Sequence, residues 1–208
     1  MILALVLVGV ADGQAYAASS EKEPNDTAQR ATALTLGDQC SATISDYSDK
    51  DWFRVTLPSA GKFTLGFGHT YSADYGGWGV TLYSSDMSTE LYSATYYDKS
   101  TGTDSFTMGL KAGTYYVKVA NWTGAVGKTY TLKPSFSASS YWEEEVNDDI
   151  YSAKAMSLGS VYSGILSDYS DKDWFRVTLP SAGKFTLGFG HTYSADYGGW
   201  GVTLYSSD

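Results

Sequence analysis

The 42-residue string SDYSDKDWFRVTLPSAGKFTLGFGHTYSADYGGWGVTLYSSD at Ser45–Asp86 returns unchanged at Ser167–Asp208. The offset of 122 residues holds without gaps upstream as well, aligning Glu21 with Glu143, Glu23 with Glu145 and Gly37 with Gly159. Self-similarity at a fixed period means a chain assembled from copies of one folding unit. One unit occupies residues 21–134. A second starts at Glu143 and is read as a truncated repeat, 143–208, because Met87–Lys133 has no counterpart after it. Residues 135–142, small and polar after Pro134, read as a linker.

Within the first unit, period-two alternation recurs in short runs bounded by turn residues. Phe53, Val55 and Leu57 share a face, with Trp52, Arg54 and Thr56 opposite, before Pro58-Ser59-Ala60-Gly61 turns the chain. Phe63, Leu65 and Phe67 follow, then Val80 and Leu82, then Phe106, Met108 and Leu110. Tyr115, Val117 and Val119 come after Lys111-Ala112-Gly113, and Tyr130 with Leu132 closes the unit. With Ser41–Ser45 and Glu90–Tyr97 this predicts eight strands, and a helical turn only within Thr27–Ala33. The expected fold is all-β: a jelly-roll-like antiparallel β-sandwich, one complete copy followed by a truncated second.

Composition narrows the function classes. The formal net charge is −9 and no basic patch is visible, so nucleic acid is not an expected partner. Residues 1–20 read as a signal peptide, from the apolar run Ile2–Ala11 and the small residues of Ala15-Tyr16-Ala17, which predicts a secreted, extracellular protein. No stretch is long and apolar enough to predict a membrane span. Cys40 is the single cysteine, so an intrachain disulfide cannot supply stability.

Glu21, Glu23 and Asn25 stand at i, i+2 and i+4, which in an extended segment places three oxygen-bearing side chains on one face, with Asp26 adjoining. Downstream, Asp46, Asp49 and Asp51 crowd the loop that enters the Trp52 strand. Carboxylates and a carboxamide without His or Cys are the donors calcium takes, six to eight oxygens at a time, and argue against zinc or copper. The second copy tests the pattern where its sequence differs. Between Glu21–Ile44 and Glu143–Leu166 nine of 24 aligned pairs are identical. Glu143, Glu145, Asn147 and Asp148 are among them, whereas Lys22 has become Glu144 and Pro24 has become Val146. Asp168, Asp171 and Asp173 repeat the downstream loop.

Glu23-Pro24-Asn25-Asp26-Thr27, Ala31, Leu36-Gly37, Asp49-Lys50-Asp51-Trp52-Phe53 and Gly113-Thr114-Tyr115-Tyr116-Val117-Lys118-Val119 together resemble the bacterial pre-peptidase C-terminal domain family, to which the collagen-binding domains of clostridial collagenases are related. The resemblance spans the first unit and what is present of the second. It implies a jelly-roll sandwich appended to a secreted peptidase, with calcium held at the N-terminal segment. By that resemblance Glu21, Glu23, Asn25, Asp26 and Asp49 are the ligand candidates, with Asp46 or Asp51 as further ones. The second unit reads Glu145-Val146-Asn147-Asp148-Asp149 and lacks the proline.

Catalysis is not expected. His69 and His191 are one position in two copies, no nucleophile motif surrounds any serine, and His69 reads as a solvated residue of a polar turn. Tyr71, Tyr75 and Trp78, in a Gly-rich loop, and Tyr116, on the outward side of its strand, are candidate anchors for a collagen-like protein or a polysaccharide. Two function classes follow. One is a calcium-binding module that targets or anchors an extracellular protein to a polymer surface. The other is a structural spacer or stabilising accessory domain of a secreted peptidase. The incomplete second repeat is expected to pair with another chain through its uncovered edges.

Overall fold

A computed structural model describes residues 19–70, 76–97, 101–192 and 199–206. Residues 1–18 of the expected signal peptide, together with Tyr71 and Tyr75, lie outside the described residues.

The strands of the first copy, in chain order, are β1 (Ser19–Ser20), β2 (Thr32–Ala33), β3 (Cys40–Thr43), β4 (Lys50–Leu57) and β5 (Gly61–His69), then β6 (Gly77–Tyr83), β7 (Glu90–Tyr97), β8 (Gly102–Leu110), β9 (Gly113–Thr123) and β10 (Thr129–Ala138). They form two five-stranded sheets, ordered β1-β3-β10-β5-β8 and β2-β4-β9-β6-β7. From β3 to β10 the chain changes sheet at every step except β6 to β7, which gives the jelly-roll winding. The two short outer strands β1 and β2 pair in parallel with β3 and β4, so both sheets are mixed. The eight strands expected from alternation are β3–β10, and the expected helical turn is a 3₁₀ turn at Ala28–Arg30.

Alternation explains how the layers meet. Along β4, Asp51, Phe53, Val55 and Leu57 are buried while Lys50, Arg54 and Thr56 are exposed. Phe63, Leu65 and Phe67 of β5 answer from the other sheet, with Leu132 and Tyr130 of β10, and the cluster closes around Val80, Leu82, Val117 and Val119. Each such side chain contributes about 1.5–3 kcal/mol on burial, so this two-layer core carries the unit's stability.

Four expectations change. Trp78 is not in an exposed loop: it lies in β6, fully buried against Phe67 with ring centroids 5.7 Å apart, and is unavailable to a polymer. His69 is not solvated; it ends β5 at 7% exposure, and its Nε2 lies 3.0 Å from Asp104 Oδ2. Residues 135–138, expected in the linker, are strand, paired with β5 through Ala138↔Gly61. Ser19 and Ser20, counted with the leader, pair with Cys40 and Ser41.

The second copy rebuilds the beginning of the repeat. β11 (Lys154–Met156) pairs in parallel with β12 (Phe175–Val177), Lys154 opposite Phe175 as Thr32 is opposite Phe53. Trp142 bridges Ser163 as Ser20 pairs with Ser41. A separate unit begins at Leu179. Its described residues contain no strand, although Phe185–Phe189 and Val202–Leu204 repeat sequences that are strands in the first copy. In the first copy these sequences are flanked by β7–β10.

Candidate metal site

The N-terminal strip is laid onto the sandwich by its own backbone. Glu21 N–H donates to the Ser41 carbonyl at 3.0 Å, and the Asn25 carbonyl accepts from Trp52 N–H at 3.0 Å. Glu21 Oε1 accepts from Thr43 N–H at 2.7 Å, and Glu23 Oε2 accepts from Asn25 N–H at 3.0 Å. These contacts turn the i, i+2, i+4 oxygens toward the start of β4, where period two points Asp51 inward. Glu21, Glu23 and Asp51 each present a carboxylate oxygen within 4.8 Å of the others.

Asn25 and Asp51 are completely buried. Asp51 Oδ2 accepts from the Tyr130 hydroxyl at 2.6 Å, whereas Asp51 Oδ1 and Asn25 Oδ1 have no hydrogen-bond partner among the described residues. The Asn25 amide nitrogen donates to Glu21 Oε2 at 3.5 Å and to Thr32 Oγ1 at 3.4 Å. No lysine or arginine among the described residues pairs with the three carboxylates. Burial pushes the Asp51 carboxyl up to about 8 despite the Tyr130 hydrogen bond, with Glu21, Asp49 and Glu23 adding repulsion. Burial also raises Glu21. Two buried acceptors without donors, beside three like charges, are what a bound cation removes. The donors are hard oxygens, carboxylate and carboxamide, of the kind that calcium accepts, and in kind they fit it.

The second copy repeats the arrangement with different neighbours. Glu143 Oε1 accepts from Ile165 N–H at 2.9 Å, the Asn147 carbonyl accepts from Trp174 N–H at 2.9 Å, and Asn147 N–H donates to Glu145 Oε2 at 3.2 Å. Glu143, Glu145 and Asp173 form one close group; Glu145, Asp148 and Asp171 form another. Asp171 Oδ1 and Asp173 Oδ1 are the buried oxygens lacking a partner here. Burial, reinforced by Asp173, lifts Glu143 to about 10; burial and then Asp171 lift Glu145 to about 7.

The acidic candidates thus separate. Glu21, Glu23, Asn25 and Asp51 converge, with Asp49 buried close enough to repel Asp51. Asp26 is exposed and outside the group, although its counterpart Asp148 is inside one. Asp46 is also exposed and spends Oδ1 on Ser48 N–H, Ser48 Oγ and Asp49 N–H, so it closes the loop instead of facing the site. Asp168 does the same for Ser170 and Asp171. Tyr130 and Thr32 were missed by the sequence reading. The signal for Tyr130 was its period-two partnership with the buried Leu132.

Tyr116, half-buried on the outward face of β9, sits between Arg54 of β4 and Tyr83 of β6. Beside it Trp52 stacks on Tyr83 at 5.2 Å, and Lys118 Nζ lies 5.9 and 5.0 Å from their ring centres. Of this strip Trp52, Tyr116 and Lys118 are half-buried and reach the surface, while Tyr83 lies beneath them.

No family model matches the chain, and no curated protein does. Among solved structures the chain is similar to the pre-peptidase C-terminal domain of a collagenase from Bacillus anthracis, with 20% identity and a TM-score of 0.40 over 50% of this chain and 94% of that one. That domain is of the family the sequence resembles. A family 35 carbohydrate-binding module from Clostridium thermocellum is similar at 15% identity and TM-score 0.31, over 44% of this chain and 72% of the other. One from Paenibacillus barcinonensis is similar at 14% and 0.32, over 50% and 92%. The sandwich itself rests on the strand pairing above.

Proposed function

We propose that the chain is a secreted, non-catalytic β-sandwich module that binds calcium at Glu21, Glu23, Asn25 and Asp51, with an equivalent site at Glu143, Glu145, Asn147 and Asp173. The observation that carries this is the pair of fully buried oxygens without donors among the described residues, Asn25 Oδ1 and Asp51 Oδ1, set among three carboxylates that no described basic residue pairs with. Calcium joins the N-terminal strip to the start of β4 and so stabilises the sandwich against detachment of its first residues. The half-buried Trp52, Tyr116 and Lys118, backed by the buried Tyr83, form the face that meets an extracellular polymer, through ring stacking and the lysine charge.

Thermal unfolding in calcium and then in excess chelator tests the metal. Calcium that binds only the folded state stabilises it by about 2.7 kcal/mol when free metal is about 100 times the dissociation constant. Superimposable curves would end the proposal. Pull-down on insoluble collagen, chitin and cell-wall material, for wild type and Tyr116→Ala, tests the polymer face. Retention that requires Tyr116 is expected, and no retention on any of them favours the structural-spacer class.

A further inference from the structure

Period two and strand register set rings and cations side by side on one face of the first sandwich. Along β4, Lys50, Trp52 and Arg54 point outward between the buried Asp51, Phe53 and Val55; along β9, Tyr116 and Lys118 point outward on either side of the buried Val117. The pairing sets Trp52 opposite Lys118 and Arg54 opposite Tyr116. Each ring thus has a cation across the ladder, about 5 Å from strand to strand, and another two residues along its own strand, about 7 Å away. β9 contains no acidic residue, the adjoining β6 contains none, and the only one in β4, Asp51, points inward. Beyond β6, Glu90 of β7 accepts from the Tyr83 hydroxyl at 2.9 Å. Lys50, Arg54 and Lys118 form no ion pair among the described residues. Three cations therefore gather on one face of a chain whose formal net charge is −9, and they do so only once β4 and β9 have paired.

We propose that the polymer met by this face is an acidic polysaccharide, its sugar rings stacking on Trp52 and Tyr116 and its carboxylate or sulfate groups pairing with Lys50, Arg54 and Lys118. The proposal rests on the reading of this face as the one that meets a polymer, and adds the charge of what it meets. An aromatic ring takes the C–H side of a sugar, the Arg54 guanidinium can fork onto two oxygens of one anionic group, and the lysines act as point charges. Cations alternate with rings here instead of forming a continuous basic track, which suits a chain of saturated rings that carry anionic groups at intervals. Nucleic acid presents a phosphate at every step and draws its affinity from neutralising many of them, for which three cations are few. The negative charge on the rest of the chain repels a polyanion, so attraction is confined to this face.

Dextran sulfate and unmodified dextran share a backbone and differ in charge, and retention of the full chain on beads carrying either one is the test. Retention should be greater on the sulfated polymer and should fall as salt is raised. Lys50→Gln combined with Arg54→Gln should weaken it by about five-fold, the order expected for two exposed charge pairs. Arg54→Lys, which keeps the charge, should lose less than Arg54→Gln. Lys133→Gln, on the outer side of β10 in the other sheet, should retain the wild-type level. Equal, Tyr116-dependent retention on both polymers would overturn the proposal while leaving the polymer face in place; no retention on either would remove both. A loss in Lys133→Gln as large as in the double variant would also overturn it, as would equally firm retention on beads carrying single-stranded DNA.

Discussion

Asp51 continues the inward series of Phe53, Val55 and Leu57, so the alternation that builds the core also carries a carboxylate into it. In the metal-free fold burial moves that carboxyl from its ordinary 3.8 to about 8. A folded-state value above the unfolded one means the fold holds a proton that the unfolded chain has already released. The stabilisation is complete below about pH 4 and is lost as pH rises through about 8. In chelator, the melting temperature should therefore fall between about pH 5 and pH 8, and calcium should reverse the fall most strongly at the upper end. A melting temperature that rises across this window in chelator would contradict the burial of an unpaired Asp51. Tyr130→Phe removes the one hydroxyl that satisfies Asp51 Oδ2 and should destabilise the metal-free protein by about 1–3 kcal/mol, as seen in urea unfolding. A loss confined to a few tenths of a kcal/mol would show that the hydroxyl is dispensable. The pairing of Tyr130 with Asp51 was not legible from spacing, because the two are brought together across sheets from positions 79 residues apart. The local part of the site was legible: Glu21, Glu23 and Asn25 alternate on one extended segment and need only neighbours two residues away.

At the scale of elements, alternation delivered β3–β10 because each strand buries one face, and it failed where pairing overrides local cues. Trp78 stands between glycines and reads as loop, yet β6 is flanked by β9 and β7 and carries the indole into the core. Pro134 reads as a breaker, but β3 stops opposite Leu132, so at Pro134 the strand has β5 as its neighbour and tolerates a residue without N–H. The segment after β10 is held where two glycines leave room. A Cβ on Gly61 would meet the Ser137 carbonyl, and one on Gly109 would meet the Glu143 carbonyl, each far inside contact distance. Glu145 N–H donates to the Gly109 carbonyl at 2.9 Å, so the acidic strip of the second copy is pinned to the end of β8. Gly109→Ala should release it, raising hydrogen exchange at Glu145 by about ten-fold or more while Val55 and Leu65 keep their protection. Unchanged exchange at Glu145 would mean that the strip is held by the second copy alone.

For the molecule as a whole, two copies of one sequence reach different depths of folding. Residues 141–178 repeat the strip, the bridges and the acidic group of the first copy, whereas the described residues from Leu179 onward form no strand and leave Leu187, Phe189, Val202 and Leu204 at least half exposed. Hydrogen exchange on the monomeric 208-residue chain should therefore show strong protection over Phe53–His69 and Trp78–Leu82 and little over Phe185–Phe189 and Trp200–Leu204; equal protection in both would contradict the difference in burial. An acidic group that needs only the opening of the repeat is then present twice, the first supported by Tyr130. Calcium titration calorimetry of the full chain, wild type and Asn25→Ala, reads this directly. Wild type should bind saturably with a dissociation constant at or below about 10⁻³ M, the range of extracellular calcium modules, and Asn25→Ala should remove one class of sites while leaving the other. No saturable binding in wild type at millimolar calcium, or binding that Asn25→Ala leaves untouched, would show that the buried oxygens around Asp51 do not hold calcium.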